Sequence, residues 1–223
     1  MFGDRIIVKK DHETVARGLV DILMPEVRAS PDRYIITVAG ESGSGKSGIA
    51  REMFERLNSR GVKTLLIQQD DYFIYPPKTN EKFRREGTVE VGLMEVNLTL
   101  LQHHVRRLKD TEAVSFQKPL VMFCEDRIDS ETVYCRGVKA VIIEGTYVSL
   151  LGGIDKKIFL AKTYKQTFFA RLFRRRERID AFTDRILSVE HGIISTHRRF
   201  ADLVVEKNYA IVENLRKKER EVK

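Results

Sequence analysis

A chain of 223 residues that is 42% hydrophobic and 32% charged can bury a sizeable core, which excludes a disordered polymer and a disulfide-stapled miniprotein. We find no apolar run near the roughly 18 residues of a membrane span, and two cysteines without metal spacing or a secretory leader favour a cytoplasmic protein. The net charge of +8 favours anionic partners, among which phosphorylated small molecules are as suitable as nucleic acid.

Strands and helices are predicted to alternate along the chain. An amphipathic stretch within residues 1–32 predicts an N-terminal helix, and a β-branched strand over 33–39 runs into a glycine-rich segment. The helix after that segment ends at Gly61, and a second amphipathic helix begins at the cap residue Asn97. Further buried strands are predicted at 62–69, 139–145, 156–161 and 201–206. Apolar strands separated by helices predict an α/β fold with a doubly wound parallel sheet and helices on both faces.

The glycine-rich segment, residues 40–47, reads GESGSGKS and fits the pattern G-x-x-x-x-G-K-[ST]. Because it lies between a predicted strand and a predicted helix, its backbone N–H groups can form an anion nest supported by the helix dipole. Lys46 is expected to reach the β- and γ-phosphates of a nucleoside triphosphate, and the Ser47 hydroxyl to bind Mg²⁺. The other residues expected to hold the phosphates are Gly40, Ser42, Gly43, Ser44 and Gly45.

Acidic residues at two strand ends favour a kinase over a switch or a motor. The chain has no N-K-x-D guanine-reading segment and no strand ending in Asp-Glu, which a GTPase and an ATPase motor respectively would carry. Asp70 and Asp71 follow a predicted strand, at the edge where ligands bind in such sheets. Asp70 is expected to orient an acceptor hydroxyl or take its proton, with turn capping as the alternative. Glu144, at the end of another strand, is expected to hold Mg²⁺ through its water shell.

An arginine-dense segment, RLFRRRER, follows the strand at 156–161. Arg171, Arg174, Arg175 and Arg178 recur at spacings of three and four and so share one side of a helix. Guanidinium groups bind phosphate oxygens and can neutralise the charge of a transferring phosphoryl group. We expect a mobile lid over ATP, with Arg171 and Arg175 acting on the transferring group and Arg174 and Arg178 holding the nucleotide. A solvated basic face is the alternative.

Taken in order, these motifs resemble those of the phosphoribulokinase/uridine kinase family. GESGSGKS is similar to that family's P-loop, QQDDYF to its catalytic segment with Asp70 as the base, and VIIEGTY to its V-x-x-E-G strand with Glu144 as the Mg²⁺-linked acid. RLFRRRER resembles its lid, and FADLVVE resembles its closing strand. The resemblance implies a P-loop kinase fold, ATP with Mg²⁺, and phosphorylation of a hydroxyl on a small metabolite. It predicts one kinase domain over residues 1–223, with 1–32 as a helical extension and a lid over about 165–195.

The acceptor is not determined by the resemblance. Uridine kinases usually carry a P-x-Y-D-F segment followed closely by a histidine, whereas this chain has KPLVMFCEDRID, with Val121 and Met122 in place of the Tyr and Asp. Apolar residues there remove the hydrogen bonds that would read a nucleoside, so a nucleoside, a sugar and a sugar phosphate all stay open. The first candidates for the acceptor pocket are Tyr72, Phe73, Glu90, Glu95, Glu125, Asp126 and Arg127, with surface or packing roles as the alternative. Four histidines are expected on helix surfaces, namely His103, His104, His191 and His197.

The sequence therefore predicts a cytoplasmic, Mg²⁺-dependent kinase that passes the γ-phosphoryl group of ATP to a small-molecule hydroxyl, without a nucleic-acid or membrane partner. The alternative is a non-catalytic, nucleotide-sensing protein that engages a protein or nucleic acid. Asp70, Glu144 and the arginine segment argue against it, because a pure binder needs none of them. The sequence is compatible with a homo-oligomer and does not determine the oligomeric state.

Overall fold

Helices and strands alternate through most of the chain. The computed structural model describes residues 1–4, 6–174, 178 and 180–214. The helices are α1 (Lys10–Ala29), α2 (Lys46–Ser59), α3 (Pro77–Glu86), α4 (Leu98–Lys109), α5 (Phe168–Arg174) and α6 (Ala181–Ile194). The strands are β1 (Tyr34–Gly40), β2 (Thr64–Gln68), β3 (Ser115–Met122), β4 (Arg127–Tyr134), β5 (Ala140–Gly145), β6 (Lys156–Leu160), β7 (Leu203–Val205) and β8 (Ile211–Glu213). A 3₁₀ turn, Gln69–Tyr72, continues directly from β2.

A six-stranded sheet organises the molecule, with the strand order β2-β5-β1-β6-β7-β8. β1 pairs in parallel with β5 and β6, β2 pairs in parallel with β5, and β6 with β7, while β8 runs antiparallel to β7. The register places Val38 of β1 and Gln68 of β2 beside Glu144 of β5. The carboxyl ends of these three strands therefore meet at one edge, which is where open α/β sheets bind ligands.

The sheet is buried on both faces because side chains alternate along each strand. Tyr34, Ile36 and Val38 of β1 belong to a core formed with α1 and α2. Ile35 and Ala39 belong to a second core on the opposite face, which includes the apolar side of α4. Helices covering both faces explain why the central strands read as continuous apolar runs.

The predicted α/β fold is confirmed. The predicted strands form where the sequence places them, as do the N-terminal helix and the helices that begin after the P-loop and at Asn97. The β3–β4 hairpin was not predicted, because Lys118 and Pro119 interrupt β3 and β4 buries only Val133 among its eight residues. Helices α3 and α6 and the short strand β8 were also missed. Within the described chain, no helix is both long and apolar enough to cross a lipid bilayer.

Candidate active site

The P-loop, residues 40–47, connects β1 to α2. Gly43 has a φ of +75° and Gly45 a φ of +98°, which lie in the left-handed region that favours glycine. An added Cβ at Gly43 would lie 2.7 Å from Cγ of Arg171, so packing excludes larger residues there as well. The buried Oγ of Ser44 has no hydrogen-bond partner in the described part of the chain, and a phosphate oxygen would satisfy it. The loop therefore has the backbone shape and the donors of a phosphate cradle.

Lys46 and Ser47 open α2 and face the carboxyl group of Glu144 at the end of β5. Glu144 is buried and accepts hydrogen bonds from the Ser47 side chain and, at 3.0 Å, from Nε2 of Gln68. Burial raises the pKa of Glu144, and the nearby charge of Asp70 adds to the rise, while Lys46 opposes it. Two carboxyl groups beside a hydroxyl are hard oxygen donors, and a divalent cation would relieve their repulsion. The residues present thus fit Mg²⁺.

Asp70 and Asp71 are neighbours in sequence but have different surroundings. Asp70 is partly exposed and lines a small cavity beside the P-loop. Asp71 is 3% exposed, and its carboxylate lies 2.7 Å from Nζ of Lys118 and 2.9 Å from the Met1 nitrogen. It also accepts a hydrogen bond of 3.1 Å from the Val121 backbone N–H. Asp70 can therefore meet a small molecule, whereas Asp71 holds the β3–β4 hairpin against the sheet.

Arg171 of the predicted lid lies directly against the P-loop. It is buried, and its Nη2 donates to the carbonyl oxygen of Tyr164 at 3.3 Å. Thr167, one turn earlier, donates from Oγ1 to the Ser42 carbonyl oxygen at 2.9 Å. The beginning of the arginine segment is therefore fastened to the loop through a residue that the sequence did not single out.

The rest of the arginine segment is only partly described. Arg175 and the side chain of Arg174 lie outside the described residues. Arg178 is exposed and lies outside any helix, because α5 extends over Phe168–Arg174. The prediction that Arg178 shares one helical face with Arg171 is therefore wrong.

A buried carboxylate joins the P-loop to α6. Glu41 accepts a hydrogen bond of 2.6 Å from the Tyr164 backbone N–H, and its other oxygen lies 2.7 Å from Nδ1 of His191. Glu41 was not predicted, because it occupies a variable position of the loop pattern. It links the loop, the segment before α5, and α6 into one connected unit.

Two cavities open beside the P-loop and share Lys46 and Ser47. The larger, of about 540 Å³, is lined by the loop, the N-terminal segment, the start of the arginine segment and Tyr209. The smaller, of about 160 Å³, is lined by Asp70, by Thr146 and by residues of α3 and α6. Lys46 thus lies where a phosphate in one cavity would meet a molecule in the other.

An ion-paired triad forms one side of the smaller cavity. Arg84 of α3 pairs with Glu95 through two nitrogens, one at 2.8 Å, and with Glu190 of α6 at 3.0 Å. Asn80 donates to Glu95 at 2.9 Å, while its own Oδ1 is buried without a hydrogen-bond partner in the described chain. Two carboxylates around one guanidinium leave the triad with a net negative charge. Three aromatic rings also line this cavity, those of Phe73, Phe123 and Phe182.

The predicted acceptor-pocket residues are mostly elsewhere. Phe73 lines the smaller cavity, and Glu95 lies behind it as a partner of Arg84. Tyr72 is buried, with its hydroxyl 2.8 Å from Nδ1 of His104, and Asp126 caps the start of α3. The remaining three are exposed and do not line the cavity, namely Glu90, Glu125 and Arg127.

Two of the four histidine predictions are wrong. His104 is 4% exposed, because it lies on the same face of α4 as Leu101 and Leu108, and it packs against Phe116. His197 is 3% exposed in the 3₁₀ turn after α6. Burial lowers the pKa of both imidazoles to about 4, which keeps them neutral near pH 7.

The missed cavity residues come from the missed helices. The start of α3 is signalled by Pro76–Pro77 and its end by Gly87, and α6 is signalled by the N-cap Asp180, whose side chain accepts from the Thr183 backbone N–H. Capping signals could therefore have found both helices, although the polar α3 lacks the apolar periodicity of a buried helix.

A family model agrees with this arrangement of motifs. The model of the phosphoribulokinase/uridine kinase family matches residues 35–187. The chain belongs to this family. Members transfer phosphate to an alcohol, so this phosphoribulokinase/uridine kinase family protein is an ATP-dependent small-molecule kinase that phosphorylates a hydroxyl.

Relatives of this family member carry different names. A uridine kinase of Ligilactobacillus salivarius is 28% identical over 184 residues, covering 77% of this chain and 84% of the relative. The bifunctional alpha-galactosidase/sucrose kinase AgaSK of Mediterraneibacter gnavus is 24% identical over 200 residues, covering 82% of this chain and 21% of that protein. The structure of D-glycerate 3-kinase from Cryptococcus neoformans superposes with a TM-score of 0.62 at 14% identity, over 92% of this chain and 98% of that one, and shows the shared fold.

Proposed function

We propose that this kinase transfers the γ-phosphoryl group of ATP to a hydroxyl of a neutral metabolite bound in the smaller cavity, a sugar or a nucleoside. The observation that carries the proposal is that one cavity brings Lys46, Ser47 and Asp70 together with the acidic triad of Arg84 and its carboxylate partners. The motif residues would serve the chemistry, and the triad would select the acceptor.

The chain's own groups divide the reaction between them. The P-loop N–H groups and Lys46 would hold the phosphates. Arg171 would hold the P-loop in place, and its positive charge would stabilise the transferring phosphoryl group. The partly exposed Asp70 would accept the proton of the acceptor hydroxyl or orient it for in-line attack. Ser47 and Glu144 would hold Mg²⁺, and the bound ion would offset the negative charge of the phosphates.

The charge of the smaller cavity supports a neutral acceptor. A phosphate or carboxylate on the acceptor would be placed beside the carboxylates of Glu95 and Glu190, which share the guanidinium of Arg84. Like charges a few ångströms apart in a partly buried site repel strongly. Hydroxyl groups, by contrast, can donate to the carboxylates and to the buried Oδ1 of Asn80. The aromatic rings that line the cavity can cover the apolar face of a sugar or a base.

An acceptor panel tests this function directly. ADP release from Mg²⁺-ATP would be measured with neutral sugars and nucleosides, and in parallel with sugar phosphates and hydroxy acids. Turnover with a neutral acceptor and none with its phosphorylated counterpart is the expected result. A preference for an anionic acceptor would keep the kinase and overturn the neutral class. Tight ATP binding without turnover on any compound would favour the nucleotide-sensing alternative.

A pair of variants separates the triad from general charge effects. Glu190→Gln removes one carboxylate from the cavity and should raise kcat/KM for an anionic acceptor relative to a neutral one about tenfold. Glu206→Gln removes an equal charge from an exposed pair with Arg198 and should leave that ratio unchanged. Equal ratios for both variants would refute selection by the triad.

A further inference from the structure

Part of the lining of the larger cavity comes from residues outside the family motifs. The P-loop from Gly43 to Ser47 lines the cavity, and so do Ile6, Ile7 and Lys9. These residues precede the region matched by the family model, which begins at residue 35. The segment of residues 6–12 therefore faces the nucleotide site in this chain.

His12 fastens this segment to the loop. Its ring is buried, and an added Cβ at Gly45 would lie 2.7 Å from Nε2, while one at Gly48 would lie 2.5 Å from Nδ1. The absence of a side chain at these two glycines leaves room for the imidazole at the start of α2. Nδ1 also lies 3.3 Å from the Lys9 backbone N–H, so the ring fixes the position of Lys9.

Exposed aromatic rings also line the larger cavity. Phe169 is 71% exposed and Phe173 76% exposed, although both line the cavity. Tyr209 lies nearby, with Nζ of Lys162 only 3.5 Å from its ring centroid. Together with Ile6 and Ile7, these rings give the cavity an apolar surface, which a nucleobase would cover and so remove from water.

The charge of this cavity is entirely positive among the described residues that line it. Lys9, Lys46 and Lys162 line it, and no aspartate or glutamate does. Burial lowers the pKa of His12, and the nearby charges of Lys9 and Lys162 lower it further. The ring is therefore neutral at pH 7. A cavity that combines apolar side chains with lysines and a phosphate-binding loop matches the chemistry of a nucleoside triphosphate.

We propose that residues 6–12 form a nucleotide-binding element outside the family's motifs, in which Ile6 and Ile7 cover the nucleoside of ATP and Lys9 pairs with its phosphates. The inference rests on the proposed nucleotide site, but it concerns binding alone and does not depend on the acceptor. It gives the N-terminal extension a role in function in addition to the packing of α1.

A matched pair of charge reversals tests Lys9. Lys9→Glu should weaken Mg²⁺-ATP binding about tenfold in calorimetry, a change of about 1.4 kcal/mol. Lys10→Glu makes the same change at the next exposed position, which does not line the cavity, and should alter the dissociation constant less than about twofold. Equal weakening by both variants, or none by Lys9→Glu, would overturn the role of Lys9.

Tripolyphosphate separates the apolar contact from the charge. Ile7→Ala should weaken ATP binding about fivefold and leave tripolyphosphate binding unchanged, because tripolyphosphate lacks a nucleoside. Lys9→Glu should weaken the binding of both ligands. Equal losses for both ligands in Ile7→Ala would show that the residue only supports the fold, and would refute a nucleoside contact. Because these measurements need no acceptor, failure of the proposed phosphoryl transfer would leave them interpretable.

Discussion

At the scale of single residues, the two adjacent aspartates after β2 have different roles. The 3₁₀ turn Gln69–Tyr72 rotates successive side chains by about a third of a turn. Asp70 is therefore left at the cavity, while Asp71 is buried against Lys118. The same carboxyl chemistry serves the proposed reaction at one position and the stability of the fold at the next.

Substitution of each aspartate by asparagine should distinguish these tasks. Asp70→Asn should lower kcat about 100-fold or more, while the melting temperature and ATP affinity change little. Asp71→Asn should lower the free energy of unfolding by about 2–3 kcal/mol, at the low end for a broken buried pair because Glu131 still contacts Lys118 at 2.6 Å.

Steady-state kinetics and chemical denaturation of the two variants check this prediction, and each variant is the control for the other. If Asp71→Asn lost turnover at unchanged stability while Asp70→Asn kept its turnover, the proton acceptor would have to be Asp71.

The sequence predicted the motif residues well and the acceptor cavity poorly. The motif residues lie at strand ends or helix starts, namely Lys46, Ser47, Asp70 and Glu144. Parallel strand pairing brings these ends together independently of the conformation of the connecting loops. Arg84 and Glu190 are 106 residues apart, and no local pattern indicates that their helices face each other. Their pairing depends on tertiary packing alone.

At the scale of elements, α3 depends on the β3–β4 hairpin for its first turn. Its N-cap position is Pro76, whose side chain has no atom that could accept a hydrogen bond from the helix. Asp126 of the hairpin instead accepts from the backbone N–H of Lys78 at 2.7 Å and from that of Thr79 at 3.1 Å. The hairpin therefore positions the helix that carries Arg84, which explains how a distant loop could influence acceptor binding.

Removal of this cap should affect the acceptor rather than ATP. Glycine accepts the φ of +52° at this position, so Asp126→Gly removes only the cap. The cap is worth about 1 kcal/mol, and its loss should raise the KM for the acceptor about fivefold. Asp126→Asn keeps an acceptor oxygen and should restore most of the affinity. Initial-rate kinetics check this, and an equal rise in the KM for ATP would contradict it.

At the scale of the whole molecule, two buried histidines make the fold sensitive to acid. The pKa of His104 and of His197 is lowered by burial to about 4, whereas both should titrate near 6.5 when unfolded. Lys118 and the Tyr72 hydroxyl face His104, and Arg199 lies near His197. Below pH 6.5 the unfolded chain thus binds protons that the folded chain does not, and stability falls as the pH falls towards 4.

Denaturation at pH 7 and pH 5 should reveal this dependence. Each histidine contributes up to about 1.4 kcal/mol per pH unit to the loss of stability between these values. The double variant His104→Gln/His197→Gln should start from a lower stability at pH 7 and lose less on acidification. Glu144, whose pKa is raised by burial, acts in the opposite direction in both proteins. Parallel losses in wild type and variant would rule the histidines out as the cause.

The opposite charges of the two cavities affect what happens after the reaction. A neutral acceptor gains about two negative charges when it is phosphorylated, and it then lies beside the triad of Arg84, Glu95 and Glu190. If the proposed function is right, the same carboxylates that would admit the substrate would then repel the product, while the lysine-lined cavity would retain ADP. Departure of the phosphorylated metabolite would thus precede that of the nucleotide, and product inhibition would be weak. An inhibition constant for the product below the KM of the acceptor would contradict this order of release.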